Sequence, residues 1–99
     1  MAKPAYVIVD VDIHDHDAYE DYKAQVTPLV SQFGGEYLAR GGTLDIVLDQ
    51  LWKPTRMVLL KFPSREAAKT FMDSEEYAPI RKKREDNSTG TVILLEGIE

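Results

Sequence analysis

A chain of 99 residues, 43% hydrophobic and 29% charged, has the size of one globular domain and too much apolar content for a disordered acidic tail. Twelve basic residues against seventeen acidic ones give a formal net charge of −5, which argues against general nucleic-acid binding. With no cysteine, the chain has no disulfide, no thiolate nucleophile and no cysteine-based zinc site.

Ala5 to Ile13 sets Ala5, Val7, Val9, Val11 and Ile13 on one face at the two-residue period of a strand, with Tyr6, Ile8, Asp10 and Asp12 on the other. Asp15 is placed to cap a helix in which Tyr19, Tyr22, Val26, Leu29, Val30 and Phe33 recur at helical spacing as far as Gly34-Gly35. Pro28 falls inside it and deprives the Ala24 carbonyl of its donor, so a kink is expected, or a restart with Thr27 as cap. Glu36 to Arg40 reads as a second strand, bent at Gly41-Gly42 and resumed from Thr43 to Leu48. A turn from Asp49 to Thr55 leads into a third strand, Arg56 to Phe62, expected to pair antiparallel with the second. Pro63-Ser64 opens a helix whose stripe is Ala67, Ala68, Phe71 and Met72. Ser74 caps a further piece from Glu75 to about Asp86, irregular at Pro79, and Thr91 to Glu96 is the last strand.

The order β-α-β-β-α-β predicts an α+β, ferredoxin-like sandwich occupying residues 1–99 as one domain, with helices on one face of the sheet. Both faces of the strands are apolar: Tyr6, Ile8, Met57 and Leu59 oppose the helix side, and Val92-Ile93-Leu94-Leu95 supplies both. A bare face of that kind would be a large exposed patch, so a homodimer with a second copy covering it is expected. No apolar run approaches the ~18 residues of a membrane span, and Met1 to Tyr6 does not read as a secretory signal. The expected location is the cytoplasm.

Five segments occur in one order: Tyr6-Val7-Ile8-Val9-Asp10-Val11-Asp12, Tyr37-Leu38-Ala39-Arg40-Gly41-Gly42, Phe62-Pro63-Ser64, Ser74-Glu75-Glu76-Tyr77 and Leu95-Glu96-Gly97-Ile98. Together they resemble the domain-of-unknown-function 1330 family, with the Tyr-Leu-Ala-Arg-Gly-Gly stretch the most specific mark. That family is similar to the dimeric α+β barrel group, in which two ferredoxin-like subunits pack sheet against sheet. The resemblance implies fold and dimer more than activity, because the group includes cofactor-independent monooxygenases, lactone isomerases and haem enzymes. Glu75 stands where many relatives carry proline, a change at a helix start.

Asp10, Asp12 and His14 share a face if the strand persists, each about 7 Å from the next. Side chains along one strand diverge, so a metal centre is not expected, nor is a cofactor. Asp12 or His14 is the expected acid or base, against the alternative of solvent-exposed residues at the sheet rim. His16 has a weaker claim. Arg40, before two glycines, could clamp a carboxylate, enolate or phosphate bidentately, or else form a salt bridge with Asp12 or another acid of the dimer seam. Tyr22 and Tyr77 could donate to a ligand oxygen, or simply bury their rings. Trp52 could wall a pocket or meet the partner subunit. In Arg81-Lys82-Lys83-Arg84 the absence of interleaved aromatics argues against nucleic acid, while the i, i+3 pair Arg81 and Arg84 can face inward together and add to an anion site. The acids from Asp10 to Asp21 form an opposite pole that could meet the basic run across a subunit interface. The expectation is a protein that binds a small anionic or carbonyl ligand, with cofactor-independent proton transfer or oxygenation as its chemistry. The alternative is a non-catalytic dimeric binding or stress-related module.

Overall fold

The computed structural model describes residues 2–98; Met1, the first residue of the segment Met1 to Tyr6, and Glu99 lie outside them. Seven elements follow in order: β1 (Ala5–Ile13), α1 (His16–Gln32), β2 (Glu36–Arg40), β3 (Met57–Phe62), α2 (Arg65–Met72), α3 (Ala78–Asn87) and β4 (Ser88–Glu96). The sheet has the order β2-β3-β1-β4, antiparallel at every pairing. This is the α+β, ferredoxin-like arrangement that the alternation of patterns predicts.

The local signals act where the chemistry puts them. The Asp15 carboxylate accepts from the Ala18 N–H (3.1 Å), and the Ser64 hydroxyl accepts from the Ala67 N–H (3.0 Å), each satisfying a donor that an N-terminal turn leaves free. At the far end of α1 the Gly34 N–H bonds the Ser31 carbonyl (3.1 Å) and the Gly35 N–H the Val30 carbonyl (2.9 Å). That is the left-handed helix stop, and Gly34 takes its positive φ of 83° without a Cβ penalty. Helix α1 neither breaks nor restarts at Pro28, while the Thr27 hydroxyl donates to the Lys23 carbonyl (2.7 Å) one turn back.

Three boundaries differ from expectation. Residues 43–48 form no strand: the only partner of β2 is β3, whose first residue, Met57, already bonds Gly41, so the continuation has no strand left to pair with, and residues 41–56 form a long loop instead. Helix α3 starts at Ala78, preceded by a turn in which the Ser74 hydroxyl accepts from the Tyr77 N–H (3.2 Å). Strand β4 begins at Ser88, because β1 is long enough to pair with all nine of its residues.

The core lies between the sheet and the helices. Val7, Val11, Val58, Leu60 and Phe62 from the strands meet Tyr19, Tyr22, Val26, Val30, Ala68, Phe71 and Tyr77 from the helical side. Phe62, Val11 and Val30 are the largest wholly enclosed side chains, each stabilising by roughly 1.5–3 kcal/mol relative to exposure. Phe71 stacks on Tyr77 (ring centroids 4.4 Å) and on Phe62 (5.5 Å). Among the described residues no layer covers the other sheet face, and no helix is long and apolar enough to cross a membrane.

Candidate functional site

The core is not filled completely. Between the helix side of the sheet and the helices is a cavity of about 320 Å³, floored by Val7, Val9, Val58 and Leu60 and walled by Tyr19, Tyr22, Tyr37 and Tyr77. Arg40, Arg56, Arg81, Arg84 and Lys23 also line it, and no aspartate or glutamate does. In a chain with net charge −5 this is a local reversal of sign. Arg40, Arg56 and Arg84 have no carboxylate within 4.0 Å among the described residues, whereas Lys23 pairs with Glu20 (3.0 Å) and Arg81 with Glu85 (3.8 Å).

Arg40 reaches the cavity because β2 carries a bulge. Tyr37 opposes Leu60, but Ala39 opposes Leu59, so Leu38 is an extra residue and the face alternation slips by one. Tyr37 and Arg40, three apart, therefore share the helix side. The Arg40 guanidinium stacks over the Tyr37 ring (4.2 Å to its centroid) and donates to the Thr27 hydroxyl (2.8 Å). Arg56 enters from the other end of the loop. Its backbone is held by Asp10, which accepts from the N–H groups of Thr55 (2.8 Å) and Arg56 (3.1 Å) and from the Trp52 indole (2.9 Å). Its guanidinium packs against Gly41, where a Cβ would lie 2.9 Å from Nε, and comes within 5.7 Å of the Tyr19 ring centroid.

Tyr22 and Tyr77 bond each other through their hydroxyls (3.0 Å) in the buried part of the site. Burial, together with the neighbouring Tyr77 phenol, pushes the Tyr22 phenol far above its ordinary range. Burial also raises Tyr19, against the opposing pull of Arg56, Arg84 and Arg40. Arg84 presents an enclosed Nε that has no hydrogen-bond partner. A buried N–H of a cation without an acceptor is costly, and a ligand oxygen would satisfy it.

Residues 4–98 match the sequence family described as a domain of unknown function, DUF1330. The chain belongs to that family. No curated protein matches the DUF1330 chain in sequence. Among solved structures it is similar to a protein of unknown function, RPA0582, from Rhodopseudomonas palustris, at a TM-score of 0.77 and 17% identity over 100% of this chain and 85% of that one. SnoaB, a cofactor-independent oxygenase from Streptomyces nogalater, superposes at a TM-score of 0.71 and 10% identity, covering 99% of this chain and 96% of that one. A conserved protein of unknown function from Bacteroides thetaiotaomicron gives 0.66 and 12%, covering 98% and 100%. At such identities the likeness is one of fold.

Of the residues expected to form the DUF1330 site, Arg40, Tyr22, Tyr77 and Arg84 come together in the cavity, and Asp12 and His14 do not. Asp12 is exposed on the uncovered sheet face, because its alternation places it with Ile8 and Asp10. His14 sits past the strand end, its Nε2 beside the Thr89 hydroxyl (2.9 Å). The Arg40–Asp12 salt bridge is not formed; the two side chains lie on opposite faces. Among the described residues no group of three His, Asp or Glu side chains could hold a metal. Trp52 anchors Asp10 and does not line the cavity. The basic run divides as helical spacing predicts. Arg81 and Arg84 face the cavity, while Lys82 pairs with Asp86 (2.9 Å) and Lys83 reaches Asp21 (2.8 Å) within the same chain. Tyr19, Tyr37 and Arg56 escape a sequence reading: Tyr19 looks like core, and the other two need the bulge and the Asp10 anchor to reach the site.

Proposed function

We propose that this DUF1330 protein binds a small organic anion, a carboxylate or an enolate with an apolar or aromatic body, in the cavity between its sheet and its own helices. The observation that carries the reading is the lining: three arginines, Arg40, Arg56 and Arg84, without counter-acids among the described residues, set among tyrosines and valines. Guanidinium groups in a partly dry site bind anionic oxygen strongly, and the aliphatic floor accommodates the rest of the ligand. The volume is at the small end of the roughly 300–1,000 Å³ usual for such sites, which fits one or two rings. The apolar uncovered sheet face supports a homodimer in which a second copy covers it.

An enolate or phenolate held by arginines is electron-rich at carbon, and such species react with dioxygen without a cofactor. The fold shared with an oxygenase described as cofactor-independent is compatible with that chemistry. The cavity lining offers no carboxylate or imidazole to remove a proton, so the compounds it would turn over are those already ionised near neutral pH. The same observation favours a second reading, binding without turnover. Thermal melts test the ligand class: 1-naphthoate is expected to raise the melting temperature and neutral 1-naphthamide to leave it unchanged. Equal shifts, or none, reject the anion reading. Oxygen uptake with acidic enols, measured with and without the protein, separates turnover from binding alone.

A further inference from the structure

We infer that Tyr19, Arg56 and Arg84 form the anion centre of the cavity, with the two guanidinium groups holding the charged oxygen of the ligand and the Tyr19 hydroxyl donating a hydrogen bond to it. This rests on the reading that the cavity takes an anion, and it locates the charge within it. The argument is one of unspent hydrogen-bonding capacity. Tyr22 and Tyr77 satisfy each other, and Arg40 is engaged by Thr27 and the Tyr37 ring. Arg81 donates to the Met72 carbonyl (3.0 Å) and pairs with Glu85.

Lys23 pairs with Glu20 (3.0 Å), and Tyr37 gives its ring to Arg40. Apart from the Tyr37 hydroxyl, which lies under that engaged arginine, three polar side chains remain. Arg56 has its backbone fixed by Asp10, yet its guanidinium has no acid partner among the described residues. Arg84 has the enclosed, unpartnered Nε. Tyr19 is 4% exposed and lines the cavity; its hydroxyl has no protein partner among the described residues and is not sealed in. All three line the same cavity, and Arg56 lies over the Tyr19 ring. Burial keeps the Tyr19 phenol protonated at neutral pH, so it acts as a donor. The centre draws on three elements: α1 gives Tyr19, the end of the β2–β3 loop gives Arg56, and α3 gives Arg84. Convergence of groups from separate elements on one unfilled space is what a ligand site requires and what a core does not.

Two measurements on the full chain test the centre. In calorimetric titrations with 1-naphthoate, Arg56→Met and Arg84→Met are expected to weaken binding by about tenfold or more, Tyr19→Phe by severalfold, and the exposed Lys82→Gln not at all. In melts without ligand and at low salt, Arg56→Met and Arg84→Met are expected to match or exceed the wild type, because an empty site holding uncompensated like charges costs stability. Wild-type affinity in all three site variants overturns the centre. So does a loss of several degrees in the empty arginine variants, the mark of structural residues. If the wild type ignores 1-naphthoate, the ligand class proposed above falls, and the melts without ligand still decide whether these arginines form an unfilled charge centre.

Discussion

Asp10 and the Tyr22–Tyr77 pair show how much depends on what a single polar atom touches. Asp10 sits in β1, where nothing in the alternation separates it from Asp12 two residues on. One carboxylate gathers three donors and anchors the loop that delivers Arg56, while the other, on the same face, stays exposed. The tyrosine pair is a self-contained bond in a buried place. Tyr22→Phe or Tyr77→Phe is expected to cost about 1–2 kcal/mol, since each leaves the other hydroxyl unpaired, and the double variant less than the sum. A double-mutant cycle from denaturant melts gives the coupling; strictly additive losses would show that the 3.0 Å contact carries no energy. The raised Tyr22 pKa has a sign as well. Its folded value lies above the unfolded one near 10, so the unfolded chain loses this proton first, and the contribution is intact below about pH 10 and erodes above it. Alkaline melts of Tyr22→Phe should therefore fall less steeply than those of the wild type.

Among the elements, α3 is the one whose surface role is divided most sharply. Of its four consecutive cations the outer two, Arg81 and Arg84, face the cavity and the inner two do not, and Lys83 ties it to α1 through Asp21. The hydrogen bond from Lys83, with a second from Gln25, holds the Asp21 carboxyl below its ordinary range. The folded value is thus lower than the unfolded one, so the stabilisation is present above about pH 4 and is lost as the pH falls through the folded value. Asp21→Asn is expected to flatten the acid limb of the melting curve below about pH 4 by a small amount, because the pair is exposed. An unchanged acid limb would show that water screens the contact fully. Strand β2 makes the complementary point: its single extra residue, Leu38, decides which face Arg40 takes.

For the whole molecule, the uncovered sheet face dominates. Register sets Ile8 opposite both Leu59 and Ile93, and Tyr6 opposite Leu95, on the side away from the helices. Leu95 on that face is 55% exposed. Sedimentation equilibrium at micromolar concentration is expected to show a dimer, and Ile93→Lys to weaken it by about a hundredfold or more, since a two-fold interface meets the new charge twice. A wild-type monomer that binds no hydrophobic dye would refute this arrangement.

The order of elements, the caps at Asp15 and Ser64, the stop at Gly34 and the shared helix face of Arg81 and Arg84 are legible in the sequence. Each depends on contacts within a few residues, which the chain specifies locally. The sequence left open where the segment after Gly42 would go, since a strand needs a partner that no local pattern supplies. That Arg40 and Asp12 point to opposite sides of the sheet, that a bulge brings Tyr37 and Arg40 to one face, and that Asp10 holds the backbone of Arg56 follow from long-range pairing alone. A binding site is a convergence of side chains distant in sequence, and one residue of register, invisible in composition or periodicity, reverses the face each of them shows.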